Sequence, residues 1–181
     1  MKKTLLAGLV ALFAVAANAN ATTNIAANLS SQSYTQSSSW NGHTAESAFN
    51  GGGWNSGSHG YQWLQVDLGA VKNIASVQYT LDLLPNNDVV QQIFVSDTAI
   101  GNNWSSLSPI ASFSGAGHNG DVLTQTINSS GRYVEILAYG GQSWTALSNV
   151  NVTAVPEPET YAMMLAGLAM VGAISRRKKS A

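Results

Sequence analysis

Apolar residues in the central part of this chain recur in short bursts broken by Gly, Ser, Asn and Asp, and several bursts alternate with polar residues at every second position. That spacing is the period of a strand with one buried face, not the period of an amphipathic helix. In Gln62 to Leu68, Leu64, Val66 and Leu68 alternate with Gln65 and Asp67. Gly69 marks a turn, and Val71 to Leu81 follows with Val77, Tyr79 and Leu81 on one face. Further strands are predicted over Val89 to Val95, Ile110 to Phe113, Val122 to Ile127, Arg132 to Leu137 and Leu147 to Val152, with opening strands around Ile25 to Leu29 and Ser33 to Thr35. Only Thr44 to Phe49 reads as a short helical turn. About eight short strands separated by turn residues predict an all-β body, an antiparallel β-sandwich.

The body, residues 22 to 154, lies between two segments of different character. Lys2 and Lys3 precede an uncharged apolar run from Leu5 to Ala17, and Ala17-Asn18-Ala19 and Ala19-Asn20-Ala21 each fit a small-x-small cleavage site. Residues 1 to 21 therefore read as a signal peptide. After Val155, the prolines of Pro156-Glu157-Pro158 stop the preceding strand. Tyr161 to Ile174 then carries no charge, and Arg176, Arg177, Lys178 and Lys179 close the tail. The expectation is a short single transmembrane helix over 161–175 within a segment 155–181. Fourteen residues at about 1.5 Å each cover about 21 Å of a hydrocarbon core of about 30 Å, so flanking residues must snorkel or the bilayer must thin. The basic cluster predicts a cytoplasmic tail with the body outside.

Charge is sparse and unevenly placed. Six of the eight basic residues lie at the two ends, leaving Lys72 and Arg132 in the body against Glu46, Asp67, Asp82, Asp88, Asp97, Asp121 and Glu135. An acidic body with two dispersed cations is a poor match for a polyanion, which disfavours nucleic acid. There is no cysteine, so disulfides, thiolate metal sites and thiol nucleophiles are excluded.

Val155-Pro156-Glu157-Pro158, the short apolar helix and the terminal Arg/Lys cluster together resemble a PEP-CTERM sorting signal. The resemblance implies that a membrane-embedded exosortase of a Gram-negative bacterium recognises and processes the tail, in organisms that often make exopolysaccharide. In the body, His43-Thr44-Ala45-Glu46-Ser47-Ala48-Phe49-Asn50-Gly51, Trp54 and Gln62-Trp63-Leu64-Gln65-Val66-Asp67-Leu68-Gly69 resemble the front half of a discoidin-like module, the coagulation factor V/VIII C-type family. The back half is echoed by Ile93 to Asp97 with Trp104, by Arg132 to Ile136 and by Trp144 to Val150. The resemblance implies a jelly roll of galactose-binding-like type that binds ligands, usually sugars in bacteria, through loops at one end, without catalysis. It also implies a structural Ca²⁺ near Asn50 and Asn149, where the family commonly has acidic residues; calcium wants carboxylate oxygens, and two amides weaken that expectation.

Trp40 and Trp144 lie in loops rich in Ser, Gly and Asn, where an exposed ring can stack on the C–H face of a sugar while amides and hydroxyls bond its hydroxyl groups. They and His43, which follows Trp40 in the first loop, are the candidate ligand-binding residues. Trp54, Trp63 and Trp104 read as packing residues, the default role of so large an apolar ring. His59 and His118 read as exposed loop residues and Arg132 as an ion partner within the scaffold. Gly115 to Gly120 satisfies a dinucleotide-binding pattern, but a predicted strand rather than a helix follows it, so it reads as a hairpin loop. No nucleophile elbow, zinc-protease motif or phosphate loop is present, and nothing selects a pair among the dispersed carboxylates. The sequence thus predicts an exported, exosortase-sorted, non-catalytic protein that binds a glycan or exopolysaccharide at the cell surface or in the matrix. The alternative is a structural matrix or adhesion protein that contacts other proteins.

Overall fold

The structure is a computed structural model that describes residues 23–155 and 165–169. Its elements are β1 (Tyr34–Gln36), α1 (Ala45–Phe49), β2 (Gly53–Asn55), β3 (Gly60–Leu81), β4 (Asn87–Ser96), β5 (Ala111–Gly117), β6 (Val122–Gly140) and β7 (Ala146–Ala154), with short 3-10 turns at Ser31–Ser33 and Gly101–Ser106. Every strand pairing is antiparallel.

The register explains how seven strands make two layers. The first part of β3, Gly60 to Asp67, lies between β1 and the last part of β6, Tyr133 to Gly140, which in turn pairs with β4 and through it β5. The second part of β3, Ile74 to Leu81, pairs with the first part of β6 and with β7, and β2 completes that layer. β3 and β6 are therefore one long ribbon folded back on itself. The fold falls where the register shifts between Asp67 and Lys72, at Gly69 (φ 77°), and a second shift between Ile74 and Ser76 has Asn128 (φ 46°) on the opposing strand. A positive φ costs glycine nothing and asparagine little, so these residues turn the chain where others would be strained.

Alternation along the ribbon supplies the core. Leu64, Val66, Val134 and Ile136 face inward from one layer, and Ile74, Val77, Tyr79, Leu147 and Val152 from the other, in one buried cluster. The opposite face of the first layer carries a second cluster of Phe94, Ile100 and Leu137, against which Trp63 and Trp104 pack. Trp54 is fully buried.

Several local expectations change. The two predicted strands either side of Gly69 are one continuous β3, and Val122 to Ile127 and Arg132 to Leu137 are one continuous β6. Ile25 to Leu29 is not a strand. The Asn24 carboxamide takes over the backbone there, its Oδ1 accepting from Ala26 and Val152 N–H and its Nδ2 donating to the Phe49 and Val150 carbonyls, and Asn28 turns at φ 57°. β5 runs on to Gly117, so the predicted Gly115 to Gly120 loop narrows to a turn closed by Asp121 N–H to the His118 carbonyl at 3.1 Å. Of the predicted 161–175 helix only residues 165–169 are described; they are helical, and among the described residues no helix is long and apolar enough to cross a membrane. The predicted signal peptide (1–21), Pro156, Glu157, Pro158 and the basic cluster Arg176 to Lys179 lie outside the described residues.

Glu135 is the one fully buried carboxylate of the described fold, with both oxygens lacking a hydrogen-bond partner. It sits beside Gln65 and Phe94 on the outer face of the first layer, where the Gly101–Ser106 turn closes over it. Burial pushes its pKa up to about 8. Between the ordinary value of 4.5 and about 8 the folded state keeps a proton that the unfolded chain releases. Stability therefore falls as pH rises through that window and levels off above it. Glu135→Gln is expected to flatten this dependence and to raise unfolding free energy at pH 8 by about 2 kcal/mol or more, measured by urea unfolding from pH 4 to 9; an unchanged slope would exclude Glu135 as its source.

Candidate functional site

Both ends of the folded ribbon meet at one pole, and the loops that join them form a cleft there. The Asn41-Gly42 turn (φ 49° and 80°) has the two positive dihedrals of a type I′ hairpin turn and places Trp40 opposite His43. This small hairpin is tied to β2: Trp40 N–H donates to the Asn55 carbonyl at 2.8 Å and Asn55 N–H to the His43 carbonyl at 3.2 Å. Gly57 (φ 67°) passes against it, where an added Cβ would lie 2.9 Å from the Trp40 Cβ.

The loop between β6 and β7 brings the third candidate. Thr145 exchanges backbone bonds with Ser56 and Ser58, and its hydroxyl donates to the Gly60 carbonyl at 2.8 Å. Ser143 Oγ accepts from Leu84 N–H at 2.9 Å and donates to the Trp144 carbonyl at 3.0 Å. Trp144 is thereby presented beside Trp40, ring centroids 5.5 Å apart at 62°, while the His43 ring stacks on Trp40 at 6.1 Å and 6°. Trp40, His43 and Trp144, about 100 residues apart in sequence at the extremes, are one aromatic group, with Trp40 46% and Trp144 39% exposed.

A cleft of about 470 Å³ opens beside this group. His43, His59, Asp82, Asn119, Gln142 and Trp144 line it, with buried Trp54 as part of its wall and exposed Leu84 at its edge. His59 is an exposed loop residue as read, and it also lines the cleft, its Nδ1 3.1 Å from the Ser143 carbonyl. Asp82, Asn119 and Gln142 were missed altogether, because each reads as an ordinary turn residue and only the folding back of the ribbon brings them together. The Asn-Gly pair was the available signal for the Trp40 hairpin. His118 lies outside this cleft, 3.2 Å from Asp121, whose carboxyl is held below its ordinary range chiefly by the His118 backbone amide. Arg132 serves the scaffold, its guanidinium making two 2.7 Å bonds to Asp67 and holding that pKa down to about 2.

The calcium expectation fares poorly on donor chemistry. Asn50 caps α1 and spends its side-chain oxygen on Asn28 N–H at 2.7 Å, while Asn149 (φ 50°) donates its N–H to the Gly52 carbonyl at 2.9 Å. The neighbouring Phe49 and Val150 carbonyls are taken by the Asn24 amide. Among the described residues no group of three or more acids or histidines could hold a metal. Asn50 and Asn149 supply no carboxylate to a cation that wants six to eight oxygens, carboxylates among them; the Asn24 side-chain amide joins α1 to β7 here.

A family profile, the F5/8 type C domain, matches residues 30–151. This chain belongs to that family. A second profile, the PEP-CTERM protein-sorting motif, matches residues 154–179. No curated protein matches the chain. Solved structures of the F5/8 type C-like fold do. They include the family 32 CBM of C. perfringens NanJ in complex with galactose, at 22% identity over 66% of this chain and 90% of that one with a TM-score of 0.52. The lectin domain of lectinolysin complexed with Lewis B antigen matches at 20% identity over 75% and 99%, TM-score 0.54. The CBM32 of AlyQ in complex with 4,5-unsaturated mannuronic acid matches at 18% over 67% and 94%, TM-score 0.53. At these identities the likeness is one of fold.

Asn24→Ala removes four hydrogen bonds to backbone groups and is expected to cost about 2–4 kcal/mol of stability. Chemical denaturation checks it, and with the Asn24 amide joining α1 to β7, adding calcium or a chelator is expected to leave the native midpoint unchanged.

Proposed function

We propose that this chain is an exported, non-catalytic carbohydrate-binding protein whose loop cleft takes a neutral glycan, and whose tail directs it to the cell surface or exopolysaccharide matrix. The observation that carries the reading is the Trp40–His43–Trp144 group, in which His43 and Trp144 line a cleft of amides, hydroxyls and imidazoles and the exposed Trp40 ring packs against both. A pyranose offers one polarised C–H face and a ring of hydroxyls; the exposed indoles match the face, and Asn119, Gln142, His59 and Asp82 match the hydroxyls. Among the described residues lining the cleft Asp82 is the single carboxylate, whereas glycoside hydrolysis needs two flanking the bond. The galactose and Lewis B complexes of fold relatives and the sorting motif point the same way.

The fold also supports an orientation. Ala146 begins β7 at the cleft, and Ala154 ends it beside the ribbon's fold, where Val155 N–H donates to the Asn73 carbonyl at 2.8 Å. Nine strand residues set these ends about 25–30 Å apart. The tail thus leaves from the pole opposite the cleft, so a body held at a membrane through residues 155–181, with its basic end cytoplasmic, presents the cleft outward. In this reading an exosortase processes the Pro156-Glu157-Pro158 segment.

Calorimetric titration with the producing organism's exopolysaccharide and with mono- and disaccharides from its hydrolysis tests the binding. Native protein is expected to bind saturably, and Trp40→Ala with Trp144→Ala to weaken binding of the short sugars at least about 100-fold, as expected for aromatic anchors, without loss of fold. No heat from the folded native protein would overturn the proposal and favour a structural matrix role. For the tail, deletion of residues 156–179 is expected to move the body from the membrane fraction to the soluble one; unchanged fractionation would contradict an anchor.

A further inference from the structure

The outer face of the first layer carries a second aromatic group that the cleft does not use. Tyr61 on β3 and Tyr139 on β6 are direct cross-strand partners, with ring centroids 5.0 Å apart. On its other side Tyr61 meets Trp104, from the Gly101–Ser106 turn, at 5.7 Å. Trp104 packs from one side against the small cluster of Phe94, Ile100 and Leu137, while Tyr61 is 48% exposed at the centre of the row. Buried packing accounts for Trp104 in part, but not for a tyrosine left half in solvent between two other rings.

We propose that Trp104, Tyr61 and Tyr139 form a platform on the sheet face that binds a stretch of neutral polysaccharide continuing out of the loop cleft. This rests on the carbohydrate reading of the cleft and extends it from the end of a glycan to its chain. Three observations select this occupant. Successive rings stand 5.0 and 5.7 Å apart, a spacing comparable to that of adjacent sugar rings in an extended polymer. The face beyond Tyr139 is hydroxyl- and amide-rich, because the register continues to Ser114 through Val90, and in the next row to Gln92 and Ser112; a protein partner would call for a broader apolar patch. Last, the platform is continuous with the cleft. Tyr61 and Tyr139 follow directly on the Gly60–Gly140 pair at the cleft end of the ribbon, and Gln142 lines both the cleft and a second groove that contains Tyr139, Asn87 and His118. A chain seated by its end against Trp40 and Trp144 has an unbroken path past Gln142 onto the rings.

The test compares full-length protein and its Tyr61→Ala and Tyr61→Phe variants, each binding the producing organism's exopolysaccharide and the mono- and disaccharides derived from it. Tyr61→Ala is expected to leave the short sugars within about twofold of native and to weaken the polymer about tenfold or more, as loss of a stacking ring does; Tyr61→Phe, which keeps the ring, is expected to match native on both. Tyr61 is half exposed, and coincident melting curves check that its variants keep the fold. Polymer binding by Tyr61→Ala equal to native, while short sugars still bind, would overturn the platform alone. Absence of binding to either ligand by native protein would overturn the cleft reading and the platform with it.

Discussion

The fold and the site both depend on the bend in the β3–β6 ribbon. Two long antiparallel strands give the chain an efficient way to make a sandwich, since each contributes an inward face to both layers and the backbone bonds run through the bend. The cost is concentrated where Gly69 and Asn128 take positive φ and the register slips. Folding the ribbon there sends Gly60 with Gly140 and Leu81 with Val122 to the same pole. Everything that assembles the cleft follows from that return: the short loops at that pole must pack against one another, and their side chains converge.

The site then inherits its precision from backbone bonds rather than from side-chain chemistry. Trp40 is held by a two-residue turn pinned on β2, and Trp144 by Ser143 and Thr145, whose hydroxyls are committed to neighbouring carbonyls. Rings fixed in this way lose little further freedom when a ligand stacks on them, which favours binding by a flat, preformed surface. The same economy appears along β7, where the Asn24 carboxamide joins its own segment, α1 and β7 with four hydrogen bonds.

Much of this was legible in the sequence. Alternation at Leu64, Val66 and Leu68 and at Val77, Tyr79 and Leu81 identified the strands and their inner faces, because a period of two survives any global arrangement. The bend was not legible: Gly69 looks the same whether it ends a strand or folds one, and the difference lies in which partners β6 and β7 supply. Ile25 to Leu29 has strand-forming residues, yet the Asn24 side chain outcompetes sheet pairing, a choice visible only with Phe49 and Val150 in place. In the candidate site, Trp40, His43 and Trp144 stood out by residue type and loop context. His59, Asp82, Asn119 and Gln142 did not, since polar turn residues acquire meaning only from the neighbours that a fold gives them. Tyr61 escaped for a related reason, standing on the outward positions of a strand whose neighbours Trp63 and Gln65 are covered by the Gly101–Ser106 turn.

The central claim is that the bent ribbon makes Trp40 and Trp144 parts of one sugar site. The five indole N–H signals of this chain offer a direct measurement: heteronuclear NMR of the protein titrated with a disaccharide from the producing organism's exopolysaccharide. The account predicts that the Trp40 and Trp144 signals move together along one saturation curve while that of Trp54, buried and bonded to the Ser38 carbonyl, shifts far less. Trp40 and Trp144 signals that stay still at ligand concentrations where calorimetry shows binding would contradict it.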